Sequence, residues 1–192
     1  MLSGDDMNII ETGIPGLLII EPKIFGDNRG YFMEVFNKKA FADAGISIQF
    51  VQENMSKSMY GAIRGLHYQR DPYSQAKLAR VLAGKVYDVA VDLRHGSPTY
   101  GQWYGVTLSA ENRRMFLIPR GFAHGLCVLE DNTVFDYQCD NLYHPEAEGG
   151  IAYDDPTLNI DWPVPADKLI VSPKDAVRPL FKDEEAHFVY TL

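Results

Sequence analysis

The sequence predicts an all-β protein: a jelly-roll barrel with short peripheral helices, organised as one domain over residues 1–192. Three observations point there. Short apolar or alternating runs recur along most of the chain, each bounded by Gly, Pro, Asn or Asp. Aromatic residues, 11 Tyr and 10 Phe among them, favour a pleated, half-buried surface. Only one short stretch carries the punctuation of a helix, so many strands at close spacing read as a sandwich, jelly roll or barrel.

Taken in order, residues 16–20 (GLLII) form a strand candidate closed by Glu21-Pro22, and residues 31–36 form another. Asn37 is placed to cap a short helix through Phe41 and Ala42, which Gly45 ends. Strands resume at 48–52 and 62–68. The clearest alternation is 85–93, with Tyr87, Val89, Val91 and Leu93 on one face and Val86, Asp88, Ala90 and Asp92 on the other. Further strands fit 103–108, 115–118, 125–129 and 133–139. Beyond Pro145 the chain is rich in Pro and Asp and is expected to wrap the barrel as loops and one or two helical turns.

Hydrophobic residues make up 46% of the chain and charged residues 23%, an ordinary globular composition. The formal net charge of −8 repels nucleic acid and anionic lipid, so neither is an expected partner, and any phosphate-bearing ligand must find cations gathered in its own pocket. Cys127 and Cys139 have no zinc-like spacing and read as buried thiols. No apolar run approaches the roughly 18 residues of a membrane span. The acidic start MLSGDDMNII is unlike a signal peptide, so a cytoplasmic protein is expected.

A small barrel holds a ligand at its mouth, which directs attention to polar residues on inward faces. The segment from Pro119 to His124 has the spacing PxGxxH, which in cupin-type jelly rolls starts an inward-facing strand. A metal-binding cupin also needs an earlier HxH and a carboxylate. Here Arg64-Gly-Leu-His67-Tyr-Gln69 offers one histidine with Gln69 in the second place, a poor three-ligand set, so no metal is expected. Without metal, His67 can take a proton, given an anion behind it to fix its tautomer. Asp88, Asp92, Asp136 and Asp175 are the candidates. Lys77 and Arg80 can supply a cation for a developing enolate, and Tyr137, which alternates in phase with Thr133, Phe135 and Cys139, can supply a proton from another direction. Taken alone, each of these residue types is more often a core-packing or surface residue than a catalytic one.

Longer motifs carry more. The runs GAIRGLHYQ (61–69), KLARVLAGKVYDVAVDLR (77–94), GSPTYGQW (96–103), LSAEN (108–112) and IPRGFAHG (118–125) occur in that order. They are flanked by FGDNRG (25–30), VQEN (51–54) and the segment from DDP (154–156) to DWP (161–163). Together they resemble the dTDP-4-dehydrorhamnose 3,5-epimerase family over nearly the whole chain. The resemblance implies a cupin-like fold and a general base at His67, with Asp175 as its partner, Tyr137 as acid on the opposite face and Lys77 at the enolate oxygen. It implies that His124 lines the sugar pocket. Arg29, Glu34, Gln52, Glu53, Asn54, Arg64, Glu148 and Lys174 would hold the nucleotide and its phosphates, Tyr143 would stack on thymine, and Phe25 would assist from a neighbouring subunit. The implied substrate is a dTDP-4-keto-6-deoxyhexose, inverted at C3 and C5 with no cofactor. The implied assembly is a homodimer in which N-terminal strands cross to the partner. Ala62-Ile63 stands where family members often carry Val-Leu, and Gln138 follows the tyrosine where many have a basic or small residue. Neither change removes a catalytic group. A relative inverting only C3 or only C5, a non-catalytic sugar-nucleotide-binding jelly roll and a metal-dependent cupin are the alternatives.

Overall fold

The computed structural model describes residues 7–185 and 187–191. The acidic start read from the sequence, up to Asp6, lies outside them. Two facing sheets form the body. The first runs, in spatial order, β1 (Met7–Glu11), β2 (Leu18–Pro22), β11 (Met115–Ile118), β7 (Lys77–Ala83), β13 (Thr133–Cys139) and β5 (Gln52–Ser58). The second runs β10 (Trp103–Ser109), β8 (Lys85–Asp92), β12 (Phe122–Val128), β6 (Ala62–Gln69) and β14 (Glu148–Gly150), with β15 (Ile170–Val171) added parallel to β6. Consecutive strands repeatedly cross between the sheets, as in a jelly roll. Two minor pairs complete the set: an exposed hairpin of β3 (Phe25–Asp27) and β4 (Gly30–Phe32), and β16 (Phe188–Val189) beside β9 (Arg94–His95).

The inward faces pack Leu17, Ile19, Ala79, Val81, Val86, Ala90, Leu108, Phe116, Leu126, Val128 and Phe135 into one core. This core fills the barrel on the β2, β8, β10 and β11 side. Both faces of β8 are buried, because residues after 150 cover the outside of the second sheet: Ile151, Leu158 and Phe188 pack on Val89, Val91, Leu93 and Leu66. The alternation in 85–93 therefore separates two apolar environments, and the expected C-terminal wrap is what covers the outer one. Among the described residues after 150 it does so with three 3₁₀ turns and two short strands.

The helix α1 (Lys38–Asp43) forms as its signals predict. Asn37 accepts from the backbone N–H groups of Lys39 and Ala40, and Gly45 takes the left-handed φ of +83° that ends it. Phe41 and Ile46 pack under it on Ile20, Leu78, Met115 and Leu117, covering part of the first sheet's outer face. Two strand expectations are corrected here. Residues 33–36 and 48–51 are not strand: Val35, Phe36, Ile48 and Phe50 turn into the same cluster, where the Phe36 ring meets those of Phe41 and Phe50. The strand expected at 48–52 instead begins at Gln52 and extends to Ser58, because the polar run QENMSKS pairs along β13.

Candidate active site

Strand β6 carries the first decision. On an unbroken strand, Arg64 and His67 would point to opposite faces. The pairing with β12 shifts between His124, opposite His67, and Leu126, opposite Arg64, so β6 holds one extra residue there. That bulge puts both Arg64 and His67 on the inner face. It depends on Gly65, which has φ +134° and whose place leaves no room for a side chain: a Cβ would stand 2.5 Å from the Gly125 Cα.

Opposite, on the first sheet, Lys77 pairs with Cys139 and Tyr137 with Ala79, so Lys77 and Tyr137 share one inward face two rungs apart. The Lys77 ammonium lies 5.8 Å from the centre of the Tyr137 ring. Between the sheets opens a cavity of about 480 Å³ lined by Arg64, His67, Gln69, Lys77, Tyr137, Tyr143, Glu148, Lys174 and Asp175. A deeper recess of about 160 Å³ continues it toward Asn54, His124 and Phe135.

Asp175 reaches the cavity by a local device. After β15 adds to β6, Ser172 accepts the Asp175 backbone N–H on its hydroxyl and the Ala176 N–H on its carbonyl. The resulting 3₁₀ turn (Asp175–Val177) sets the Asp175 carboxylate 2.5 Å from His67 Nε2. Since a carboxylate only accepts, the ring proton sits on Nε2 and the Nδ1 lone pair is left for a substrate. His67 keeps 34% side-chain exposure, its carboxylate 6%. Burial lowers the His67 pKa below its ordinary value; Asp175 opposes this, while Lys77 and Arg178 reinforce it. The ring is then neutral, and a base, at neutral pH. Burial, then the nearby Cys139, raises Tyr137, so the phenol keeps its proton as a donor, although Arg64 pulls the other way. Burial also lowers the Lys77 pKa, opposed by Cys139, Asp88 and Glu148.

The four carboxylates considered as partners for His67 separate cleanly. Asp88 accepts instead from His124 Nε2 at 2.5 Å, deep between β8 and β12. Asp92 ties down its own turn through Arg94, Ser97 and Thr99. Asp136 points outward to Arg80, 2.7 Å away. Arg80 is thereby removed as an enolate cation, since it alternates to the other face from Lys77.

At the mouth, Glu148 gathers Lys174, Tyr143 and Arg178. Burial opposes its ionisation, but these three hydrogen bonds bring its pKa down to about 2. Gln52 accepts the Tyr143 backbone N–H at 2.8 Å and donates to Asn54, fastening that loop to β5. Glu53 alternates to the outer face and meets Arg80 at 3.6 Å, away from the cavity. Phe25 and Arg29 lie on the exposed hairpin, where Arg29 pairs with Asp27, and Glu34 lies beside α1; none of the three lines the cavity of its own chain. Arg178 went unnoticed in the sequence, where an isolated Arg before Pro179 gives no signal. Among the described residues no three His, Cys, Asp or Glu side chains converge as metal ligands.

Known proteins resemble the chain over most of its length. The family model for dTDP-4-dehydrorhamnose 3,5-epimerase matches residues 11–183. A dTDP-4-dehydrorhamnose 3,5-epimerase of Shigella flexneri is 53% identical over 180 residues, covering 93% of this chain and 98% of the relative. The crystal structure of a Legionella pneumophila dTDP-6-deoxy-D-glucose-3,5-epimerase in complex with dTDP-4-keto-L-rhamnose superposes with a TM-score of 0.92 at 52% identity, covering 97% of this chain and all of that one. A 3'-monoepimerase from Streptomyces bikiniensis, in complex with dTDP-quinovose, matches at TM-score 0.82 and 34% identity, covering 88% of this chain and 85% of that one.

Proposed function

The chain belongs to the dTDP-4-dehydrorhamnose 3,5-epimerase family, and from that premise we propose that it inverts C3 and C5 of dTDP-4-dehydro-6-deoxy-D-glucose to give dTDP-4-dehydro-L-rhamnose, with His67 as the base. One observation carries the assignment of roles: the His67–Asp175 pair and the Tyr137 phenol reach a single cavity from opposite sheets. Inversion needs a base on one face of the sugar and a proton donor on the other, and this arrangement supports both.

The protons at C3 and C5 are acidic because each lies next to the C4 ketone. His67 Nδ1 takes one of them, Asp175 stabilises the imidazolium, and the electron pair passes to the ketone oxygen as an enolate. Lys77 offers the cation for that oxygen. Tyr137 then delivers a proton to the other face of the carbon; the imidazolium gives its proton to solvent and the phenolate recovers one. A second round at the other carbon completes the double inversion. The ketone is the electron sink, so this reading calls for no metal or redox cofactor. Arg64 and Lys174 supply the local cations that a diphosphate needs on a chain of net charge −8. Tyr143, half exposed at the mouth, is suited to stack on thymine. His124 and Asn54 line the recess beneath the sugar.

The exposed hairpin carrying Phe25, Tyr31 and Phe32 supports a homodimer in which N-terminal strands reach the partner's site, bringing Phe25 and Arg29 to a cavity they do not line at home. Light scattering of the purified protein tests that assembly. Among the described residues no helix is long and apolar enough to cross a membrane, and a cytoplasmic location is part of this reading.

The deciding experiment is incubation with dTDP-4-keto-6-deoxy-D-glucose in heavy water, followed by NMR. Deuterium at both C3 and C5 is expected. Deuterium at only one carbon would establish a single-site epimerase, and binding with no exchange would establish a non-catalytic module.

A further inference from the structure

Arg178 stands between the two halves of the site. Its guanidinium bonds Glu148 through one terminal nitrogen, while its Nε lies 3.8 Å from Asp175 Oδ1, the same oxygen that His67 holds. The side chain is only 12% exposed, and its Nε–H is buried without a hydrogen-bond partner. Room for it comes from Gly150, which sits on the rung opposite His67: a Cβ there would stand 2.9 Å from the Arg178 Nε and 2.6 Å from the Leu66 carbonyl. A buried guanidinium whose Nε–H is unpaired and stands 3.8 Å from the dyad's carboxylate is costly to keep without a role.

We propose that Arg178 is a positioning residue for the epimerisation: it holds the Asp175 carboxylate against His67 and joins it to the Glu148 cluster at the cavity mouth. The proposal rests on the reading of His67 as the base. Because one carboxylate oxygen is approached by both Arg178 and His67, part of its charge is already answered by the guanidinium. The histidine therefore gains less from its carboxylate than an isolated pair would give, and stays neutral in the working range. Other charged or titratable groups around His67 are Arg64 on β6, Lys77 on β7, Tyr137 on β13, His124 on β12 with Asp88 of β8 behind it, Glu148 on β14, and Lys174 beside Asp175. Of the cations among them, Lys77 and Arg178 act most on the ring, and both disfavour its protonation.

The test is the pH dependence of deuterium exchange at C3 and C5, with the His67 ring titrated by NMR, in wild type, Arg178→Met and Arg178→Lys. In Arg178→Met the His67 pKa and the acidic limb of kcat/KM should rise together by about one unit, lowering the rate about tenfold below the limb and little at alkaline pH. Arg178→Lys should keep the limb near its wild-type place. Affinity for dTDP, read by calorimetry, should change less than about threefold in both. Arg178→Gln, which can still bond Glu148, serves as the uncharged variant if the Met variant does not fold. A limb and a ring pKa that stay where they are in the uncharged variant, with activity equally reduced at every pH, would overturn the proposal and leave Arg178 a packing residue. His67→Asn separates the two readings: if it exchanges at the wild-type rate, the base assignment itself fails, whereas an inactive His67→Asn beside an unmoved limb sinks only the Arg178 inference.

Discussion

Two histidine–carboxylate pairs face the interior, their histidines directly opposite each other on neighbouring strands, chemically alike and differently built. His124 and Asp88 stand on neighbouring strands of one sheet, 2.5 Å apart, with side chains 8% and 0% exposed. His67 stands beside His124, but its carboxylate comes from a 3₁₀ turn 108 residues away, laid over β6 by β15. The first pair is locked by the sheet on both sides. The second is half open, with a lone pair presented to the cavity. A pair made within a sheet is rigid and buried, so it supports a pocket wall. A pair whose carboxylate is brought in by a loop can face substrate, and that is the property a base requires.

This contrast can be broken by substitution. Replacing His67 with Ala should cost about 10²–10⁴-fold in exchange at both carbons while dTDP still binds, measured by NMR and calorimetry. Lys77→Met should cost about 10²–10³-fold in kcat, since one donor at the enolate oxygen is lost. In stability the order reverses. His124→Leu leaves Asp88 a buried, unpaired charge and should destabilise by about 3–5 kcal/mol in urea melts. His67→Leu removes the partner of a carboxylate that still has Arg178 nearby, and should cost less, about 1–3 kcal/mol. Equal losses from the two leucine variants would erase the distinction.

The pH profile sharpens the same point. The folded-state pKa of His67 lies below the ordinary 6.5, so kcat/KM should stay level on acidification to that value and fall only beneath it. Tyr137 lies above its ordinary 10.0, but burial lowers Lys77 below its ordinary 10.5, so loss of the Lys77 proton sets an upper bound on the alkaline limb.

A smaller effect is expected in the wrap. Glu184 accepts the Tyr68 hydroxyl, and burial, followed by the neighbouring Glu185, raises its pKa from 4.5 to about 7. Between those values the folded chain holds a proton that the unfolded chain has released, so stability from this group declines as pH rises through that window. Glu184→Gln should therefore raise Tm at pH 8 and change it little at pH 4.

Much of this site was legible in one dimension because its parts lie in long, ordered motifs. GAIRGLHYQ carries both the glycine that makes the bulge and the histidine that the bulge turns inward. Resemblance supplied Asp175, which spacing left as one of four carboxylates. Glu53 and Arg80 show where the reading ran out: strand alternation sends both outward, but the phase of that alternation is set by pairing with β13, which no local pattern reveals. Arg178 was invisible because its role depends on a glycine 28 positions earlier and a carboxylate from another strand.

By itself the sequence determined the strand-rich fold, the Asn37-capped helix and the family, since period-two patterning, turn chemistry and contiguous motifs are local properties of the chain. Only the tertiary structure decided which carboxylate serves which histidine, which charges point outward and which arginine braces the dyad. Those choices rest on the register between distant strands and on the space left by Gly65 and Gly150, and both come into being only when the two sheets close on each other.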